Sequence, residues 1–356
     1  EFTGDNASGI VSYNILIDGE NNYFKVEDSL YNPGDRVEYI HPEVLPQREM
    51  EWSIGVMDAA GNAHITDKNT FNIDRSPPSI SHIPVSTSAL GQGTSIISAS
   101  VTDDNLLSSV ELFYKVGGNS WNGPFDIFGS GYSIPGSDVT EQGLAYEIRA
   151  YDEAGNISVY GPVDIAVIIS GDGQESSPLI SGTDISAYQL ISFPIIPNNK
   201  STLNLFEDDL GLYDDTKWRL FDYDNGGYEE LPSTIETGKS YLLITSETGL
   251  SVDSDEGRTV SVVQDYQVSL NQNDWTLIGN PFDFTVPLEN ILTNEGTSLS
   301  DDPNVYEFNN GQWQPASELY PWSGIAYKSS SASRVYIQPS KNEEPDEEDS
   351  FQREVI

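Results

Sequence analysis

Glu51–Asn62 reads EWSIGVMDAAGN and Ala145–Asn156 reads AYEIRAYDEAGN, and the aspartates of their shared Asp-x-Ala-Gly-Asn stand 94 positions apart. In both copies apolar residues alternate up to the aspartate, the pattern of a strand with one buried face. The Gly-Asn that follows supplies the backbone freedom of a tight turn. A strand-and-turn unit recurring at this period matches the length of a small β-sandwich, so the first half of the chain reads as two copies of one all-β unit.

The match extends upstream. Asp5-Asn6 followed by the apolar run from Ile10 parallels Asp104-Asn105 followed by the run from Leu107. The second unit has a further stretch, Pro78 to Val101, with strands expected around Ile80–Ile83 and Thr94–Val101, and the first unit contains nothing that matches it. Residues 1–75 are therefore expected to form a sandwich lacking its first strands, which belong upstream of residue 1. Residues 76–170 are expected to form a complete one. An incomplete first sandwich leaves a sheet edge and a core face for a partner chain or upstream sequence to cover.

The order of strand, Asp-x-Ala-Gly-Asn, strand and then a Pro77-Pro78 boundary resembles the immunoglobulin-like and fibronectin-type-III-like modules strung along bacterial surface proteins, over residues 1–170. The resemblance implies a β-sandwich and says little about a ligand, because sandwiches host unrelated functions.

Beyond a linker at 171–178 a different repeat begins. Tyr188–Pro194 (YQLISFP) corresponds to Trp275–Pro281 (WTLIGNP), 87 positions later. Each is followed by a short helix candidate: Ser201–Gly211, with a hydroxyl at the N-cap and a terminal Gly, and Thr285–Leu292, with Pro in its first turn. A hairpin comes next, Phe221–Tyr228 or Tyr306–Trp313, with Asn-Gly where positive φ is required. An apolar strand closes each copy, Lys239–Ile244 or Ser323–Tyr327. The pattern predicts one pseudo-symmetric, duplicated β-rich domain with short helices over 179–338, in halves 179–262 and 263–338. Residues 339–356 read as an acidic linker, Asn342–Asp349, and the opening of a further segment. The W-x-L-I-G-N-P run and the later Gly-bearing strand resemble a C-terminal-region module of bacterial proteins exported by type IX secretion. The first copy departs from that motif at Tyr188, Ser192 and Phe193.

Composition narrows the function. With 57 acidic and 16 basic residues the formal net charge is −41, which repels phosphate backbones and anionic membrane surfaces. Nucleic acid is excluded as a partner, and no apolar run reaches the ~18 residues a membrane span needs. The opening residues Glu1–Gly4 lack the basic and apolar regions of a signal peptide. There is no Cys, hence no disulfide, thiolate nucleophile or Cys-ligated metal. The three His residues are His41, His64 and His82, so residues 83–356 can assemble neither a Ser-His-Asp triad nor the usual zinc ligand sets. A glycosidase needs two carboxylates ~5–10 Å apart in a cleft, and spacing singles out no such pair.

Three ligand readings remain. Exposed Trp218, Trp313 and Trp322 would offer stacking faces to a glycan, although Trp275 and Trp313 occupy repeat positions held by Tyr188 and Tyr228, as packing aromatics would. Asp222-x-Asp224-x-Gly226 and Asp253-x-Asp255-x-Gly257 resemble half of an EF-hand loop, but Ser233 stands where the first would need its bidentate acid, and turns explain both. Finally, Asp74, Asp103, Asp104 and Asp152 are expected at one end of the second sandwich, where calcium would stiffen the junction. The alternative is that Asp152 caps its own turn. No cofactor is required beyond this calcium. The chain is expected to be a non-catalytic structural or adhesive segment of an exported bacterial protein at the cell surface or outside the cell. Its partners would be other domains of the same protein or another surface protein. The alternative is a carbohydrate-binding module or an accessory region of a secreted protease or other hydrolase.

Overall fold

A computed structural model describes residues 10–18, 20–24, 44–58, 60–171, 173–224 and 226–339. Asp5, Asn6, His41, Asn225 and the acidic tail lie outside the described residues. Among those described, no helix is long and apolar enough to cross a membrane.

The first unit is one antiparallel sheet. It contains β1 (Ile10–Ile17), β2 (Glu20–Phe24), β3 (Glu49–Asp58), β4 (Ala63–Ile65) and β5 (Asn69–Asn72), in the order β2-β1-β3-β4 with β5 also on β3. Among the described residues no second sheet faces it.

The second unit has both layers. β6 (Ser79–His82) pairs with β8 (Ala99–Thr102), and Ile97 bridges to Tyr132. Opposite them β9 (Leu107–Val116), β10 (Asn122–Asp126), β11 (Leu144–Asp152) and β12 (Ile157–Ile169) run in the order β10-β9-β11-β12, with β7 (Thr87–Ala89) parallel to β12. The inward face predicted from AYEIRAYD is real, with Tyr146, Ile148 and Ala150 fully buried between the layers beside Leu112, Ile134 and Ile165, but the other face is covered too at Ala145 and Glu147 and opens only at Arg149 and Tyr151. This is an immunoglobulin-like sandwich, and the first unit repeats its β9–β12 half.

The third region is duplicated in topology as well as in sequence. Its first half contains β13 (Gln189–Ile191), β14 (Ile196–Pro197), α1 (Thr202–Leu210), β15 (Trp218–Asp224), β16 (Gly227–Glu230), β17 (Tyr241–Thr245) and β18 (Gly257–Arg258). Its second half contains β19 (Tyr266–Ser269), β20 (Trp275–Gly279), β21 (Val286–Pro287), β22 (Ile291–Thr293), β23 (Val305–Asn309), β24 (Gln312–Pro315), β25 (Glu318–Leu319), β26 (Gly324–Lys328) and β27 (Arg334–Ile337). The sheet order β13-β17-β15-β16 is reproduced as β20-β26-β23-β24. Register fixes the equivalences: Ile191 pairs with Tyr241 as Ile278 pairs with Ile325. The two sheets pack face to face through Leu190 and Leu242 from one and Leu277 and Ala326 from the other.

A pseudo-twofold axis passes through this contact. Ser192 and Gly279 are equivalent, as are Ser240 and Gly324, and each pair meets itself across the axis. A Cβ on Gly279 would lie 2.5 Å from Ser192 Cβ, and one on Gly324 would lie 2.3 Å from Ser240 Cβ. Two serines thus face two glycines: at Gly324 the serine itself excludes a side chain, and at Gly279 the Lys239 carbonyl does so together with Ser192. The hydrogen bonds obey the same symmetry: Gly279 N donates to Gly238 O (2.9 Å) and Ser192 N to Trp322 O (3.2 Å). Gly238 and Trp322 both hold positive φ, 81° and 61°.

Two expectations are corrected. The helix expected at Thr285–Leu292 is a short β-bridge, Val286–Pro287 with Glu318–Leu319, followed by a 3-10 turn at Leu288–Asn290 and then β22. Val286 is drawn into pairing with Leu319 and Ile291 into pairing with Ile337, which overrides the local helical preference. The stretch 171–178 does not hang free. Ser176 N donates to Val252 O (2.7 Å), and β12 continues its sheet into the third region by pairing with β18, which also holds β14. The second unit and the duplicated domain therefore share a sheet, reinforced by Val167 N donating to Thr259 Oγ1 (3.0 Å) and Val262 N to Asp164 Oδ1 (2.9 Å).

Candidate functional site

At the end of the second sandwich that faces the first unit, three carboxylates converge from separate segments. Asp74 lies between β5 and β6, Asp103 follows β8, and Asp152 ends β11. One oxygen from each lies within 4.8 Å of the others. The turn chemistry of each segment delivers these groups. Asp152, 3% exposed, accepts from Asn156 N and from Asn156 Nδ2, both at 2.8 Å. Asp103 Oδ1 accepts from Asn105 N (2.9 Å), and Asp74 Oδ1 from Ser76 N (2.9 Å). Two carboxamides tie the cluster together. Asn105 Nδ2 donates to Asp74 Oδ2 (2.7 Å), and Asn156 Nδ2 reaches the Asp74 carbonyl (3.2 Å).

Carboxylates this close repel one another by about 3 kcal/mol per pair at an effective dielectric of ~20. Among the described residues no Lys or Arg pairs with them, and Asp103 Oδ2 is buried with no hydrogen-bond partner. The donor set fits calcium. Two oxygens at ~2.3–2.6 Å on opposite sides of an ion stand about 4.6–5.2 Å apart, so oxygens within 4.8 Å of one another can share one ion, and all the donors are hard oxygens.

Asp152 caps its own turn, and its carboxylate also lies in the cluster. Asp58, its counterpart in the first unit, makes the equivalent bonds with Asn62 N and Asn62 Nδ2 (both 2.8 Å) and accepts a further one from Ala60 N (3.0 Å). Among the described residues no acidic cluster forms around it. Asp104 is not one of the three that converge; the Gln47 amide beside the cluster donates to its Oδ2 (3.4 Å) and to Asp74 Oδ1 (3.3 Å). Asn105 takes the place expected of Asp104, and the Asp-Asn pairs at 104–105 and 5–6 were its signal in the sequence.

The glycan residues are corrected in part. Trp218 is 1% exposed, stacks on Phe206 and donates Nε1 to Gly211 O (3.0 Å), so it has no free face. Trp322 turns inward against Phe193 in the first half's core. Trp313 alone of the three is exposed, at 42%. The half EF-hand loops are turns: Asp222 is buried against Lys239 (2.6 Å), and Asp253 Oδ1 caps Asp255 N (2.8 Å). His82 is structural, bonded to Ser98 O and Tyr146 Oη, each at 2.7 Å.

A second acidic group lies where the second unit docks on the third region, and no sequence pattern announced it. Glu141 is 7% exposed; burial, reinforced by the nearby Asp283 charge, pushes its carboxyl up to about 7. Burial pushes Asp283 up to about 6. Glu141 Oε2 has no hydrogen-bond partner.

No protein-family model and no curated protein matches the chain. Among solved structures it is similar to one described for host cell surface retention of a 1.5-MDa bacterial ice-binding adhesin, at 12% identity and a TM-score of 0.25, covering 76% of this chain and 83% of that one. It is also similar to the chicken CNTN1 FN1–FN3 domains (11% identity, TM-score 0.19, 92% and 91% covered) and to Sidekick-1 immunoglobulin domains 1–4 (12% identity, TM-score 0.20, 93% and 90% covered).

Proposed function

We propose that this chain is a non-catalytic spacer and display segment of an exported bacterial protein, and that calcium stiffens the junction between its first two units. The observation that supports this most is the meeting of Asp74, Asp103 and Asp152. One comes from the connection between units and two from loops of the second unit, so an ion held by all three would bind the connection to the sandwich. Asp74, Asp103 and Asp152 would hold it through carboxylate oxygens, with the Asp74 carbonyl at hand. Bound calcium would supply positive charge that offsets their mutual repulsion. The net charge of −41 suits salty or calcium-containing surroundings outside the cell. A place at the cell surface, export by the type IX route and service to a larger secreted enzyme belong to the same proposal and rest on the sequence resemblances.

Calorimetric titration of the chelator-treated chain with calcium tests the ion. Saturable binding is expected at micromolar to millimolar concentration, the ordinary range of extracellular sites and sensors. Asp103→Asn should weaken it by about tenfold or more, while Asp104→Asn leaves it unchanged. Heats indistinguishable from dilution, or equal effects of the two variants, would defeat the calcium reading.

A further inference from the structure

The duplicated domain carries its own control, because any place where one half differs from its pseudo-twofold mate shows what was altered. One such difference lies beside the two hairpins. An open cleft of about 390 Å³ is walled by Tyr223 and Tyr228 of the first hairpin and by Trp275, Tyr306 and Trp313 of the second half. At the symmetry-related place Phe221 stands for Tyr306 and Tyr188 for Trp275, and two bulky side chains fill the space. The guanidinium of Arg219 lies 4.7 Å from the Phe221 ring centroid and is clamped by Glu230 (2.6 and 2.7 Å), and Leu242 occupies the floor. Register makes Asn304 the equivalent of Arg219 and Ala326 the equivalent of Leu242. Asn304 folds back to Asp302 Oδ1 (3.0 Å), and Ala326 ends at its methyl. Truncation of these two side chains leaves the second half's cleft without the bulk that Arg219 and Leu242 supply in the first.

We propose that this cleft binds a neutral glycan. Its volume falls in the range of ordinary ligand sites, which are mostly apolar with a few placed polar groups. Tyr228 and Trp313 are 61% and 42% exposed at its rim, so ring faces are open to stack on the C–H face of a sugar. The polar groups of the lining are the Asn304 amide and the tyrosine hydroxyls. Behind the wall, Asp274 Oδ1 accepts from Tyr223 Oη (3.0 Å) and from Trp275 N (2.8 Å), which holds both rings in place. A proline-rich peptide could use the rings but offers carbonyls alone, whereas sugar hydroxyls both donate and accept. A cationic guest would meet the Lys328 ammonium, which already stands 5.9 Å from the Trp275 ring centroid.

The test is native electrophoresis of the full chain in gels containing β-glucan, xylan, galactomannan or glycogen, with tryptophan fluorescence titrations against polyproline and polylysine alongside. Retardation is expected in at least one polysaccharide. Trp313→Ala should weaken it about tenfold or more, as truncation of a buried aromatic anchor does. Ala326→Leu should do the same by closing the floor with the residue the other half already carries. Arg219→Asn, at the filled counterpart, should leave retardation in place. If Ala326→Leu fails to fold, Trp313→Ala on its exposed hairpin decides alone. No retardation in any of the four gels, retardation that survives Trp313→Ala, or a fluorescence response to polyproline or polylysine only would overturn the proposal.

Discussion

Asp152 and Asp58 share the two turn bonds from the asparagine four residues on, yet among the described residues only Asp152 sits in a group of carboxylates, and the pair therefore separates turn-capping from ion-binding. Asp58→Ala and Asp152→Ala should each cost about 1–2 kcal/mol of stability in chelator through the lost turn bonds. Only Asp152→Ala should also abolish the rise in melting temperature produced by calcium, as differential scanning calorimetry would show. Glu141 gives a pH dependence with a definite sign. Its folded value of about 7 stands above the ordinary 4.5, so the folded chain holds a proton between these limits that the unfolded chain releases. Its contribution is full below about pH 4.5 and is lost as pH rises through about 7, a change of about 3 kcal/mol. Glu141→Gln should flatten that slope and raise stability at pH 8, read by urea unfolding between pH 5 and 8. An unchanged slope would refute the assignment. Asp74, Asp103 and Asp152 were legible in the sequence because a recurring turn motif and sandwich topology place loop ends. Glu141 was not, since its neighbours Thr140 and Gln142 carry no periodic signal and its burial arises only when two units dock.

At the scale of elements, the Gly of WTLIGNP is explained by the axis rather than by its own strand. Gly324 gives the cleaner test, because the atoms nearest an added Cβ are Ser240 Oγ and Cβ, at 2.2 and 2.3 Å, and Ser240 Oγ is buried without a partner. Gly324→Ala should cost about 2–3 kcal/mol through overpacking, and adding Ser240→Gly should recover at least half, a coupling that a double-mutant cycle of unfolding free energies measures. Additive effects would place the axis elsewhere. Repeats, hairpins and strand order were readable here because Asn-Gly turns and alternation are local codes. The second hairpin holds its turn as expected, with Asn310 at φ 49° and Gly311 at 75°. The helix expected at Thr285–Leu292 failed for a tertiary reason: its residues pair with strands far along the chain, which overrides a weak local preference. Asn280 is likewise understood only in three dimensions. It is fully buried, donating to Phe284 O (2.8 Å) and Leu319 O (2.9 Å), whereas Phe193 at the equivalent place fills the first half's core.

The whole molecule joins its parts in two different ways. The second unit is built into the duplicated domain by a shared sheet, β12 with β18, so those two move together. The first unit meets the second through Asp74, Asn105 and Asn156 and the carboxylates they bind, a junction whose rigidity depends on what neutralises the charge. A Pro-Pro boundary and a polar linker looked alike in the sequence as places where units part, because β12–β18 pairing spans about 90 residues and leaves no local mark. The central claim is that calcium at Asp74, Asp103 and Asp152 fixes this junction. Small-angle X-ray scattering of the full chain, in calcium and then in chelator, tests it most directly. In calcium the distance distribution should narrow to that of one extended shape, broaden again when chelator is added, and not respond in Asp103→Asn. Superimposable curves for the wild-type chain in calcium and in chelator would contradict the claim.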